Sequence, residues 1–494
     1  RRRKETIDME DKYKAANDAL RPSPELMDRA AAGGRRKKHH RPLIPAAVAA
    51  VLAVVLLFTG IPGLTGSTGG SAYALAVPEY PQLAKAPGEP LLDTEQAWID
   101  WNDAYDAYRD EWRAFRKAAP ALEDQPGLLE ALEDFSAGSA ALALTGENNR
   151  IYSPISLWFA LAMLAEATAG ETRQQVLTAL GAEDMEQLRG WADSLWHALY
   201  TDDGTASLLL GSSIWLGEGV GFHQDVLDTL AEDYYAASYR VPMGTDKADN
   251  ALSAWVSEQT KGLIGGNGKV LETSPDTLAV LASTLYYQAG WRNEFLPENT
   301  SEDSFTTAAG EELTVDFMHR TDRNVSFLRR TKYQAAAIST YLGQMVFVLP
   351  EEGVSPTELL SNPNFLPSLD IYSDDAILGE VRWSVPKFDV SSDLDLKPTL
   401  EGLGITDALD PEAADFSTLT DTEPVWVDQV RQIARVKVDE QGVEAAAVTL
   451  MANAGSSAPP EDPTICVMDL DRPFLFLIRT EDTVLFVGVV ENPG

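Results

Sequence analysis

Along this chain the helical patterns come first and the strand patterns last, and that segregation is the strongest constraint on its fold. Apolar residues recur at helical spacing across 127–144, 156–180, 223–235 and 250–264. Strand character marks 206–216, 278–287 and 331–349, then dominates 378–388, 425–438, 463–468, 474–478 and 484–490. Alternating βαβ units would interleave the two kinds, so the order predicts a single α+β domain over 126–494. No internal repeat interrupts it.

The chain ahead of that domain is organised differently. Residues 1–42 hold 13 Lys/Arg against 7 Asp/Glu, are short of large apolar side chains, and read as a flexible basic tail. An uncharged apolar run follows at 43–58 and continues through Ile61 and Leu64, enough to cross a bilayer core of roughly 30 Å. The basic cluster Arg35-Arg-Lys-Lys-His-His-Arg41 on its N-terminal side places that side in the cytoplasm. The expected order is a cytoplasmic tail over 1–42, a transmembrane anchor over 43–64, an extracellular linker over 65–125 and the domain, on a single-pass protein of the cell membrane. The competing expectation is secretion after cleavage near Ala74 to Ala76, where small residues offer a processing site. Gly, Pro, Ser and Thr dominate 60–88, a tether composition. Between 91 and 119, Trp98, Trp101, Tyr105, Tyr108, Trp112 and Phe115 recur at spacings of three and four. They predict an amphipathic helix whose aromatic face packs on the next domain or on a neighbouring copy.

Net charge is −37, and beyond residue 42 there are 26 basic against 69 acidic residues. Nucleic acid is excluded as a partner, because phosphate binding needs a basic footprint. The one cysteine, Cys466, lies in the apolar run Ile465-Cys-Val-Met468 and reads as a small buried hydrophobe. Beyond the apolar run only His197, His223 and His319 remain, none at metal-ligand spacing. No G-x-S-x-G elbow is present, and Gly265-Gly-Asn-Gly-Lys269 lacks the first glycine and the Ser/Thr of a phosphate loop. No catalytic residue, metal or cofactor is expected, so the chain reads as something other than an enzyme.

One stretch resists a single assignment. From Glu440 to Pro460 the chain runs through small residues to a Gly/Ser/Pro-rich tip. Ala, Leu, Met and Glu suit a helix over 443–452. Read as a strand, Val443, Ala445, Ala447, Thr449 and Met451 share one uncharged face of little bulk.

Six collinear motifs then carry a resemblance. They are Asn149-Arg-Ile-Tyr-Ser-Pro-Ile-Ser156 with the helical run at 161–175, the strand at 281–295 containing Trp291, and Val385-Pro-Lys-Phe388. Leu403-Gly-Ile405 with Ala414-Asp-Phe-Ser417, Asp471-Arg-Pro-Phe474 and Leu485-Phe-Val-Gly488 follow in order. Over 126–494 the sequence resembles the serpins, here of a bacterial, membrane-anchored type. The resemblance implies a serpin fold: a large central β-sheet, two further sheets, about eight or nine helices and an exposed reactive-centre loop. It implies an inhibitor of extracellular serine proteases, and in some members cysteine proteases. The target cleaves the loop, and the severed loop inserts into the large sheet before the acyl-enzyme is released; the runner-up is a non-inhibitory serpin serving as a cell-surface binding or structural protein.

Under this resemblance the loop hinge comprises Glu440, Gly442, Val443, Glu444, Ala445, Ala446, Ala447 and Thr449, and the family's spacing places the scissile bond between Ser456 and Ser457. The small side chains of the tip suit elastase- or subtilisin-like proteases with shallow primary pockets. Roughly fifteen inserted residues at ~3.3 Å each would span about 50 Å. Asn149, Ser153, Ser156, Ser283 and Gln432 fall in the shutter, where the central sheet opens. Three positions depart from the family pattern: Ser283 replaces an asparagine, Gln432 a histidine, and Val443 a small hydroxyl residue. The first two predict a rebuilt contact of Ser283 with Gln432; the third predicts slower insertion.

Overall fold

A computed structural model describes residues 73–88, 90, 94–264, 271–275, 277–427, 429–443 and 463–494. These fall in one compact unit. The basic tail and the apolar run at 43–64 lie outside the described residues, among which no helix is long and apolar enough to cross a membrane.

A three-residue strand, β1 (Ala74–Ala76), precedes the aromatic helix α1 (Glu95–Arg116). The Thr94 side chain accepts from the Ala97 amide to start α1, and Arg113 and Arg116 oppose the dipole in its last turn. After α2 (Leu128–Ala143) and the short β2 (Arg150–Tyr152), Ser153 caps α3 (Pro154–Ala167), with Pro154 in the first turn where an N–H is dispensable. Every residue of α3 except Ala160 is buried. A helix apolar on all sides is stable only when surrounded by protein. The helical pattern over 156–180 proves to be two helices. The Thr168 hydroxyl bonds back to Leu164 O at 2.8 Å where α3 stops, and α4 (Gly170–Leu180) begins beyond it. Gly181 ends α4 at φ +74°, and a Cβ there would lie 2.8 Å from that of Ala131 on α2.

Next come α5 (Met185–Leu199), β3 (Thr201–Asp202), the long β4 (Ala206–Gly217), α6 (Gln224–Asp233), β5 (Ala236–Val241), α7 (Asp246–Gln259) and β6 (Ala279–Gly290). From there strands dominate. They are β7 (Thr300–Thr306), β8 (Glu312–Arg329), β9 (Tyr333–Thr340) and β10 (Gly343–Pro350), and, past the one-turn α8 (Pro356–Leu360), β11 (Ile377–Pro386) and β12 (Phe388–Asp395). The short α9 (Lys397–Gly402) separates these from β13 (Arg431–Val438), β14 (Gly442–Val443), β15 (Thr464–Asp469), β16 (Phe474–Arg479) and β17 (Val484–Val490).

The strands form two sheets. The central one is ordered β1-β5-β4-β6-β14-β13-β12, with β3 beside β4. The other runs β15-β11-β8-β9-β10-β16-β17-β2, with β7 beside β8. The two further sheets expected from the sequence are continuous here, because the 18-residue β8 pairs with β7 and β11 along most of its length and with β9 at its end. The main core joins both sheets to α2–α6 and holds Trp158, Trp191 and Trp196; a smaller core of Trp215, Tyr239 and Trp255 lies under α7.

Helix α1 belongs to this packing. Its Trp112 is buried and donates its indole N–H to Ala84 O at 2.9 Å, while Phe115 meets Trp196 edge-on at 6.0 Å. Tyr108 donates to Asp203 at 2.6 Å and Arg116 to Thr201 Oγ1 at 2.7 Å, so the helix is fastened beside the β3–β4 turn. Strand β1 pairs antiparallel with β5 and extends the central sheet by one strand.

Candidate functional site

The hinge is held by its surroundings. Glu440 reaches across to Thr300, whose hydroxyl donates to its carboxylate at 3.0 Å, and to Lys387 Nζ at 3.2 Å. Burial pushes the Glu440 carboxyl up, but its own backbone amide, Lys387 and Thr300 outweigh this and hold it below the ordinary carboxylate range. The carbonyls of Glu440 and Gln441 accept from Phe295 N at 3.0 Å and Trp291 N at 2.9 Å. The buried Trp291 indole donates to Asp439 O at 2.9 Å. Neither Thr300 nor Lys387 stood out in the sequence, although Lys387 lies inside the Val385-Pro-Lys-Phe388 motif; their role depends on a side chain distant along the chain.

Beyond this anchor the chain enters the central sheet. Gly442 stands opposite Gly290, and Val443 stands between Ala289 on β6 and Val438 on β13. Val443 is 1% exposed and belongs to the main core. Strand β14 is antiparallel to both neighbours, so β6 and β13 are parallel to each other. Among the described residues no bond joins β6 to β13 directly; β14 alone bridges them at one end. Below it lies a cavity of about 520 Å³, flanked by 277–285 on one side and 429–434 on the other and floored by the start of α3. Glu272 and Arg431 are the only charged residues among the described ones lining it, and Arg431 is paired with Asp393 on β12. Apart from these two residues the slot is uncharged, and it is bounded by strands whose facing edges, among the described residues, lack each other as partners.

Four of the five shutter residues meet at this slot. Ser156 Oγ donates to Ser283 Oγ at 3.1 Å. The Gln432 amide brackets Ser153, accepting from its N–H at 2.7 Å and donating to its carbonyl at 3.0 Å. In place of the expected Ser283–Gln432 contact, each of the two strands bonds separately to the first turn of α3. A serine is too short to span the parted strands, so the helix end mediates. Asn149 is elsewhere: its side chain accepts from the amides of Glu491 and Asn492 at 2.7 and 2.9 Å and donates to Asn492 O. It clasps the chain's last residues to β2.

Glu444, Ala445, Ala446, Ala447, Thr449 and the Ser456–Ser457 bond lie outside the described residues. Cys466 is fully buried, and burial pushes its thiol up to about 11, as for an inert core side chain. Among the described residues no group of three or more His, Cys, Asp or Glu side chains is placed to hold a metal ion.

The two-residue β14 bridges the central sheet at one end, above an open slot between β6 and β13. Residues 135–493 match the model of the family described as serpin (serine protease inhibitor). Plasminogen activator inhibitor 1 from Neovison vison is 28% identical over 380 residues, covering 70% of this chain and 88% of its own. Serpin-Z2B from Triticum aestivum is 28% identical over 367 residues, covering 70% and 90%. The crystal structure of the thermophilic serpin tengpin in its native state superposes with a TM-score of 0.65 at 26% identity, covering 74% of this chain and 94% of tengpin. The chain belongs to the serpin family. Animal and plant relatives match alike, so the similarity singles out no bacterial subtype.

Proposed function

We propose that this protein inhibits serine proteases of elastase or subtilisin type as a suicide substrate, with its domain outside the cell and an anchor over 43–64. Bacterial origin and some activity against cysteine proteases belong to the same reading. The observation that carries it is β14, lodged between β6 and β13 above an uncharged slot. The protease serine oxygen bonds to the Ser456 carbonyl carbon, the Ser456–Ser457 bond breaks, and the Ser457 nitrogen takes a proton and leaves as a new amino terminus. The segment after Val443 then zips into the slot before water releases the acyl group. Continuing the register of β14 would set Ala445 opposite Tyr287 and Val436, and Ala447 opposite Leu285 and Ala434. It would bring the Thr449 hydroxyl to Ser283 and Gln432, the two residues that now lean on α3. Small uncharged side chains at these positions match an uncharged slot, because each buried unpaired charge would cost several kcal/mol. Insertion adds hydrogen bonds along both facing edges, each contributing about 0.5–1.5 kcal/mol net.

Incubation with subtilisin and a pancreatic elastase, followed by denaturing electrophoresis, tests the reading. A covalent complex of serpin and protease is expected. Cleaved serpin alone would refute inhibition and leave the non-inhibitory surface protein as the function. Mass spectrometry of the released C-terminal fragment locates the bond, and a cut outside 455–458 would overturn the assignment of Ser456–Ser457.

A further inference from the structure

The strand that follows the loop, β15, lies at the edge of its sheet, paired on one side with β11 in parallel register. Its inward side chains Cys466 and Met468 are fully buried, whereas Ile465 and Val467 face out at 38% and 50% exposure, beside Leu378 at 63%. Gly379 permits the close pairing, since a Cβ there would collide with Thr464 O. On the same outward face, Glu380 is covered by two arginines: Arg382 Nε at 2.9 Å and Arg323 Nε at 3.2 Å. Hydrogen bonds from Arg382 and then Arg323 hold the Glu380 carboxyl below its ordinary range, so it stays ionised between them. The arginine side chains are 55% and 68% exposed and the glutamate 10%. Two guanidinium groups over one covered carboxylate leave a surplus positive charge at the surface. Arg329, which donates to Ile465 O at 2.7 Å, adds another, and Asp469 marks the acidic margin of the patch. In a chain of net charge −37, this basic and apolar face stands out against an acidic background.

Its position decides what can sit on it. Thr464 is seven residues beyond Ser457, so a protease gripping the scissile bond is tethered within about 25 Å of β15. A protease domain of about 200–250 residues has a radius of gyration of about 17 Å and therefore overhangs this face. We propose that the face formed by Leu378, Ile465, Val467, Arg323 and Arg382 is a second docking surface for the target protease, one whose rim on the leaving-group side of its cleft carries carboxylates beside an apolar side chain. This inference rests on the inhibitory reading above. It makes target choice depend on the protease surface as well as on the uninformative small side chains of the loop tip. A basic spot on an acidic inhibitor would draw an acidic rim into register and raise the association rate, with little effect on steps after acylation.

The test uses whichever of subtilisin and pancreatic elastase the intact protein traps faster. Second-order rates of complex formation are compared for the wild type, R323E/R382E, and L378S/V467S, which leaves every ion pair in place. L378S/V467S is expected to keep the wild-type melting temperature, R323E/R382E to melt lower because Glu380 loses both partners, and both to keep the wild-type complex yield per cleaved loop. R323E/R382E should associate about tenfold more slowly at low ionic strength, with the difference shrinking in high salt. L378S/V467S should slow association at both. Unchanged rates in both variants, with complex still formed, would overturn the docking surface and leave inhibition intact. Absence of any complex with wild type would remove the inhibitory reading and this surface with it.

Discussion

Val443→Asp puts one charge at the first position that must be inside the sheet. Val443 is 1% exposed, and its backbone is held by both Ala289 and Val438. An ionised carboxylate in its place can respond in two ways. It can stay and take up a proton, which at pH 7 costs about 4 kcal/mol for a group with an ordinary pKa of about 3.9. Alternatively β14 withdraws, forfeiting about 1.5–3 kcal/mol of valine burial and a few backbone hydrogen bonds of about 1 kcal/mol each. Either route leaves the slot harder to enter by roughly 4 kcal/mol, which slows insertion about a thousandfold. Hydrolysis of the acyl-enzyme is unaffected and overtakes it. The variant should be cleaved as a substrate at neutral pH, with the stoichiometry of inhibition rising by at least about tenfold. The raised pKa of the introduced carboxyl makes its charge removable, so complex yield should recover in part near about pH 5. Val443→Asn should show the defect without that pH dependence, and Val443→Thr should remain an inhibitor. A one-to-one covalent complex from Val443→Asp at neutral pH would refute insertion through this position.

Further consequences are checkable separately. Ala447→Glu and Ala445→Arg should likewise turn the inhibitor into a substrate on denaturing gels, since both would face the core in the register set by β14. Gln432→Ala leaves the Ser153 N–H and C=O without their side-chain partner and should lower stability by about 1–3 kcal/mol in urea titration, whereas Ser283→Ala should cost less than about 1.5 kcal/mol. Burial alone would lower the His197 pKa, but its bonds to Asp193 raise it above the ordinary value. Its stabilisation of α5, through the pair with Asp193 on the same helix, is fully present below the unfolded-state pKa and is lost as pH rises through the folded one. Amide protection in α5 should therefore fall as pH rises above about 6.5, the ordinary histidine value, and become flat in His197→Gln.

Much of the domain was legible because its signals are local. Helical spacing found α2 and α6, the aromatic stripe found α1, and the motif at 149–156 found the capped start of α3. The break between α3 and α4 falls at Thr168-Ala169-Gly170, where the Thr168 hydroxyl turns back on Leu164 and Gly170 takes φ +55°, a glycine signal that the helical reading over 156–180 ran through. The strand read over 425–438 starts only at Arg431. At the site, composition showed a loop with an uncharged face, and the resemblance to the serpins implied that Ser153, Ser156, Ser283 and Gln432 share one region. It could not show that the strands bearing Ser283 and Gln432 stand apart, each bonding to α3, because that depends on β14 lying between the two strands at their other end. The partners of Asn149 were hidden for a related reason: they are the last residues of the chain, which no local pattern connects to it. The docking face was equally hidden, since Arg323, Glu380 and Val467 come from three separate strands.

Hydrogen exchange along β6 and β13, before and after cleavage of the loop, tests most directly whether the slot takes up its own chain. Among the described residues of the intact protein, the facing edges below Ala289 and Val438 lack a common partner. After cleavage, amides of 279–287 and 431–437 that point into the slot should slow by at least about a hundredfold, the protection that a few kcal/mol of added strand stability confers. Unchanged exchange along both strands in the cleaved protein would show that the slot stays empty, and strand insertion would fall with it.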